Sequence, residues 1–218
     1  MTKKDLAGLT DHTLLKPDAT HEDIKKLCEE ALQFGFYSVC INPCFIKLAK
    51  ELLKYSDVRV TTVIGFPLGM TLTEVKVYEA MNAHLLGANE LDIVINIGAL
   101  KSGDWDTVRK DISDVIMATK GLIHKVIIET CYLTDDEKKK VVEIALEESS
   151  EFIKTSTGFG LRGAQLSDIR LISDIVGDIA GIKAAGRIKT LSQVLELLEA
   201  GATRIGTSAG VKILGELP

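Results

Sequence analysis

Eight apolar runs of strand length alternate with segments of helical spacing along the 218-residue chain, and this alternation limits the fold more than any other feature. The runs are Leu9 to Leu15, Tyr37 to Ile41, Val58 to Ile64, Glu90 to Ile95, His124 to Glu129, Phe152 to Thr155, Ile179 to Ala184 and Thr203 to Gly206. Between them, Ile24, Leu27, Cys28, Ala31 and Leu32 recur at the spacing of one helix face. Shorter stripes occur at Val141, Val142, Ala145 and Leu146, and at Val194, Leu195, Leu197 and Leu198. Thr71 with Glu74 and Thr134 with Glu137 have capping-box spacing, and Thr20 with Asp23 is a weaker match. Gly35, Gly87, Gly121 and Gly201 each close a helical stretch, where a left-handed cap favours glycine. Strict alternation predicts a parallel sheet. Eight units in a chain of this length predict a (β/α)8 barrel forming a single domain over residues 1–218. The rival is an open doubly wound sheet, but no GxGxxG follows the first strand.

Composition narrows the function classes. At 46% hydrophobic and 26% charged, the chain can bury a full core. Its net charge of −5 gives no basic footprint for nucleic acid. No apolar run is long enough to cross a membrane, and MTKKDLAGLTDHT lacks the apolar stretch of a secretory signal. Cys28, Cys40, Cys44 and Cys131 have no CxxC spacing and no adjacent histidine, so a reducing cytoplasm is expected rather than a disulfide or zinc site. A homo-oligomer, dimer or tetramer, is the expected assembly, dimers being the commonest.

The chemistry concentrates in two strands. EFIKTSTGFG and IAGIKAAGRIKT each place one lysine, Lys154 and Lys183, in an apolar strand ahead of small residues and glycine. Strand side chains alternate between faces. Lys154 shares a face with Phe152, Lys183 with Gly181, and Asp92 with Glu90 and Val94, while the opposite faces are aliphatic. The lysines and Asp92 are therefore expected inside the barrel, near the strand ends where barrel enzymes carry their sites. Two ammonium groups about 5 Å apart at an effective dielectric of about 20 repel by roughly 3 kcal/mol, which favours loss of one proton near neutral pH. A free amine can attack a carbonyl to form a Schiff base. Asp92 is then a proton carrier, and Asp11, in DHTLLKP at the end of the weak first strand, a candidate fourth member. Taken singly, each lysine reads equally as a solvated edge residue, and Asp92 as a cap. Lys125 and Glu129 fall on the inward face of the fifth run and read as a structural ion pair. Gly158 with Gly160, Gly186, and Gly206 with Thr207, Ser208 and Gly210 follow late strands, where barrels hold phosphate on backbone N–H groups.

DHTLLKP, VIGFPLG, NELDIVINIGAL, KVIIET, FIKTSTGFG, GIKAAG and RIGTSAG stand in this order, and the chain resembles the deoxyribose-phosphate aldolases across residues 6 to 210. The resemblance implies a metal-free, cofactor-free class I aldolase. It would convert 2-deoxy-D-ribose 5-phosphate reversibly to acetaldehyde and D-glyceraldehyde 3-phosphate, within deoxyribose phosphate catabolism. It implies Lys154 as the Schiff-base lysine, Lys183 as its perturbing and proton-transferring neighbour, Asp92 as proton donor and acceptor, and Asp11 as supporting carboxylate. Phosphate falls to Gly158, Gly186 and Ser208, and Cys40 lies near the substrate. Three departures stand out. Arg187 replaces a second glycine after Gly186, narrowing backbone access or binding phosphate itself, with Lys189 where a basic residue commonly follows. Ser208 is followed by Ala209 where many members have paired serines. The sequence ends in ELP without the C-terminal tyrosine of some members, so proton transfer is expected to rest on Asp92, Lys183 and water. The rival functions are a Schiff-base aldolase for a related sugar phosphate and a catalytically idle sugar-phosphate-binding barrel.

Overall fold

A computed structural model describes all 218 residues. A short helix α1 (Lys3–Ala7) precedes the first strand β1 (Thr10–Leu14). Then follow α2 (His21–Phe34), β2 (Ser38–Ile41), α3 (Ile46–Leu52), β3 (Arg59–Ile64), α4 (Thr73–Leu85) and β4 (Glu90–Val94). Two helices, α5 (Ile97–Lys101) and α6 (Trp105–Ala118), lead to β5 (Ile123–Ile127), α7 (Asp135–Glu147) and β6 (Phe152–Lys154). The chain continues through α8 (Leu166–Val176), β7 (Gly181–Ala185), α9 (Leu191–Glu199), β8 (Arg204–Thr207) and α10 (Gly210–Gly215). The eight strands are parallel and close in sequence order, β8 pairing β1 through Thr10↔Ile205 and Asp11↔Gly206.

Local signals set most boundaries. Thr20 and Thr134 form reciprocal capping boxes with Asp23 and Glu137, and Gly35 ends α2 in the left-handed conformation, φ 70° and ψ 39°. The Thr71–Glu74 box does not form. Helix α4 starts two residues later, behind Leu72, whose apolar side chain makes no cap bond. Outward strand residues such as Val39, Ile41, Leu91, Ile93, Val126, Ile153 and Ile182 join the helices in one continuous apolar cluster.

The barrel interior is different. Its middle is filled by Asp11, Ser38, Thr61, Glu90, Asp92, Lys125, Lys183 and Arg204, all buried, where barrels usually stack branched aliphatic side chains. Burying that many charges is tolerable only with mutual pairing. The polar throat therefore demands explanation, and the apolar shell outside it supplies the stability.

Candidate active site

Register puts the two lysines side by side, Lys154 opposite Lys183 on β6 and β7, and Asp92 opposite Lys125 on β4 and β5. Asp92 is the hub. Its Oδ2 accepts from Lys154 Nζ at 2.8 Å and Lys183 Nζ at 2.7 Å, and its Oδ1 accepts from Lys125 Nζ at 2.8 Å. Lys183 also meets Asp11 Oδ2 at 2.5 Å, and Asp11 Oδ1 accepts from Arg204 at 3.0 Å. One layer lower, Glu90 Oε2 lies 2.6 Å from Lys125 and 3.6 Å from Arg204. Arg204 rests 3.5 Å over the Tyr37 ring, which closes the floor. Gly206 makes this packing possible, because a Cβ there would sit 3.0 Å from Lys183 Cε.

The expected lysine pair is thus present, but it is not two bare charges in repulsion. The Asp92 carboxylate stands between them. Burial alone would push Lys183 down, yet Asp11 and Asp92 outweigh it and hold its ammonium well above the ordinary lysine value. Burial likewise opposes the charge of Asp92, but Lys125, Lys154 and Lys183 hold its carboxyl far below the usual range. Asp11 behaves the same way, burial being outweighed by Lys183, Lys125 and Arg204. The excess charge appears at the level of the cluster. Four buried cations, Lys125, Lys154, Lys183 and Arg204, face three buried carboxylates, Asp11, Glu90 and Asp92, with the half-exposed Arg59 reaching Glu90 from outside. Release of one proton balances the throat.

Lys154 is the member with access to open space. Alone among the four cations it lines the cavity above, of about 290 Å³, and it has one carboxylate partner, which it shares. The same cavity is lined by Gly158, Gly186, Arg187, Lys189 and Ser208, so the residues expected at a phosphate lie together with the lysine. Lys16 joins them, and no carboxylate is among the sixteen lining residues. Such a wall attracts an anion. Gly158 and Gly186, at φ +91° and +88°, bring the loops after β6 and β7 close together; a Cβ on Gly186 would stand 3.4 Å from Gly158 Cα. Arg187 also has positive φ, 60°, a conformation that favours glycine. Its guanidinium crosses the rim and donates to the Gly160 carbonyl at 3.3 Å.

Two expectations need correction, the Lys125–Glu129 pair and the height of Asp11 in the barrel. Lys125 does not pair with Glu129. Strand β5 ends at Ile127, and Glu129 takes a left-handed turn at φ 49°, so alternation no longer applies to it. Glu129 accepts instead from the backbone and hydroxyl of Thr157 and anchors the loop after Lys154. Lys125 belongs to the throat. Asp11 is the second residue of β1 and lies deep in the throat rather than at the strand's end. Cys40 lies beneath the cavity, not in its wall. It is fully buried with Leu15 and Val63, its Sγ 3.9 Å from Asp92 Oδ2, and burial pushes its thiol up. Arg204 and Glu90 carried the right alternation in the sequence but had no assigned partner, and Lys16 had no strand to place it.

A family model described as DeoC/LacD family aldolase matches residues 6–215. A deoxyribose-phosphate aldolase of Thermococcus gammatolerans is 58% identical over 98% of this chain and 97% of its own length. One from Thermococcus kodakarensis is 56% identical over 100% and 99%. Among solved structures, a deoxyribose phosphate aldolase from Aeropyrum pernix, described as a unique tetramer, superposes with a TM-score of 0.92 at 32% identity, over 98% of this chain and 91% of that one.

Proposed function

The chain belongs to the DeoC/LacD family of aldolases, and from that premise we propose that it cleaves 2-deoxy-D-ribose 5-phosphate through a Schiff base on Lys154. The observation that carries this reading is the placement of Lys154. It is the cavity-facing cation of a throat with one cation in excess, beneath a wall with no carboxylate.

The Lys154 amine attacks C1 of the open-chain sugar phosphate. The carbinolamine loses water to an iminium, which is the electron sink. The C3 hydroxyl releases its proton through water to the Asp92–Lys183 pair, C2–C3 breaks, and its electrons form the enamine C1=C2. D-Glyceraldehyde 3-phosphate leaves with C3 as its aldehyde carbon. Lys183, held protonated by Asp11 and Asp92, returns a proton to C2 of the enamine. Hydrolysis frees acetaldehyde and Lys154, and the addition runs the same steps backwards. Asp11 keeps Lys183 charged and aimed. The phosphate is held at the rim by the backbone at Gly158 and Gly186, by Ser208, and by the side chains of Arg187 and Lys189. Arg187 replaces part of the backbone approach a second glycine would allow with a charge-assisted contact.

Self-association and a reducing compartment, the cytoplasm, complete the reading. Leu68, Met70, Val75 and Tyr78 line one open groove on α4 and the loop before it, all exposed and apolar, a surface suited to a second copy. The four thiols are unpaired. No helix is long and apolar enough to cross a membrane. The test is reductive trapping. Acetaldehyde with borohydride should add an ethyl group, about 28 Da, to Lys154 and to no other lysine. Wild-type protein that cleaves the substrate without forming this adduct would sink the Schiff-base reading.

A further inference from the structure

Asp92 has two oxygens, and the reaction as derived uses one. Oδ2 faces Lys154 and Lys183, while Oδ1 is engaged by Lys125 alone among the cations. Lys125 is fully buried, does not line the cavity, and is gripped from below by Glu90 at 2.6 Å. Glu90 in turn reaches Arg59 at 3.3 Å, whose side chain is 43% exposed at the far mouth. A vertical stack results, Arg59–Glu90–Lys125–Asp92–Lys154, from one mouth of the barrel to the other. The remaining groups facing it are Asp11 from β1, Tyr37 just before β2, Cys40 from β2, Lys183 from β7 and Arg204 from β8, while β3 contributes Thr61 and Val63.

We propose that Lys125 and Glu90 are positioning residues that hold Asp92 by its rear oxygen and set, through the charge balance of the throat, the pH range in which Lys154 forms its imine. Neither residue touches substrate. When Lys154 becomes an iminium it no longer offers Asp92 an ammonium hydrogen bond. Lys125 keeps the carboxylate in place through that change. Deleting a cation and deleting an anion change the charge of the throat in opposite directions, so they must act on Lys154 in opposite senses, and Lys125, which shares Asp92 with Lys154, must act more strongly than Glu90 one layer lower. Burial acts against the Lys125 charge, but Asp92, Asp11 and Glu90 outweigh it and raise its ammonium above the ordinary value, so it stays a fixed cation through the working range.

The inference rests on Lys154 being the nucleophile, and the experiment separates the two. The pH dependence of kcat/KM for 2-deoxy-D-ribose 5-phosphate cleavage, with borohydride trapping of acetaldehyde alongside, is measured for the wild type, Lys125→Met, Glu90→Gln and the double variant. Loss of the cation should move the acid limb up by about one pH unit. Loss of the carboxylate should move it down, by less, because Glu90 lies beyond Lys125. The double variant restores the net charge of the throat and should return the limb part of the way toward its wild-type position, while kcat stays depressed by about 10²-fold from the loosened Asp92. Limbs that stay put, move together, or show no return in the double variant would overturn the proposal. Should Lys125→Met not fold, Glu90→Gln and the double variant still carry the test. A wild type that cleaves the substrate yet traps no acetaldehyde on Lys154 defeats the functional reading instead.

Discussion

Lys76 and Lys154 are both buried lysines on carboxylates, and they do opposite things. Between α4 and α6, Lys76 Nζ meets Asp111 Oδ2 at 2.5 Å and the Val94 carbonyl at 2.9 Å. Thr73 supplies a hydroxyl to the other Asp111 oxygen. One cation meets one anion, and both carboxylate oxygens are engaged. In the throat, four cations share three carboxylates and one cation faces open space. A buried ion pair of matched charge is a clasp. A buried cluster left one charge out of balance, with an exit, is a reagent.

The sharpest way to break this contrast is to exchange the two lysines for neutral residues. Lys154→Ala should abolish acetaldehyde trapping and lower kcat by about 10⁴-fold or more, with folding retained. Lys76→Met should leave trapping on Lys154 intact yet destabilise the fold by about 3–5 kcal/mol, because Asp111 remains buried without its cation. Denaturant melts and trapping mass spectra read both. Replacing the whole clasp, Lys76→Met with Asp111→Leu, should recover most of that loss; a double variant as unstable as the single would show that the pair does more than match charges.

Stability against pH sharpens the contrast next. The folded throat binds the Lys183 proton more tightly than the unfolded chain does. Its contribution is therefore complete below about pH 10 and is lost as pH rises beyond. Burial outweighs Asp111 and pushes Lys76 below the ordinary value. The folded state then holds that proton less tightly than the unfolded chain does, so its contribution improves as pH approaches about 10. Asp11 and Asp92 are depressed, so their contribution is full above about pH 5 and fades as pH falls below about 4. Melting temperatures of Lys183→Met should show a shallower alkaline decline than the wild type, the raised Lys125 still contributing, and those of Lys76→Met should lose the rise before it. The smallest effect belongs to the rim. Arg187→Gly should raise KM for the sugar phosphate by about tenfold with kcat nearly unchanged, and raise stability by about 1 kcal/mol by relieving a side chain at φ 60°. An unchanged KM would remove Arg187 from the phosphate site. EDTA should alter none of these rates.

The sequence made the barrel legible because outward faces are aliphatic while inward ones are not, and a period of two keeps the sets apart from β1 to β8. That rule found Lys154, Lys183 and Asp92. It failed where a strand stopped early. Glu129 was counted inward with Lys125, but backbone that turns left-handed after Ile127 has no alternation to obey. The interposition of Asp92 between the lysines also lay beyond pattern. Alternation gives a face and not a height, and which carboxylate oxygen meets which ammonium depends on side chains converging from several strands. Arg204 was legible in principle, two residues before Gly206 and on its face, but its partners Asp11 and Glu90 sit far away in the chain.

Asp11 and Arg204 are separated by 193 positions, and the barrel's seam runs between their strands. Until that seam shuts, neither the floor of the throat nor the grip on Lys183 exists, and the remaining charges keep their water. A nascent chain is therefore expected to be catalytically silent until β8 has left the ribosome and met β1. A half-made protein then carries only ordinary surface lysines, and no assembled site to hold an aldehyde against one of them.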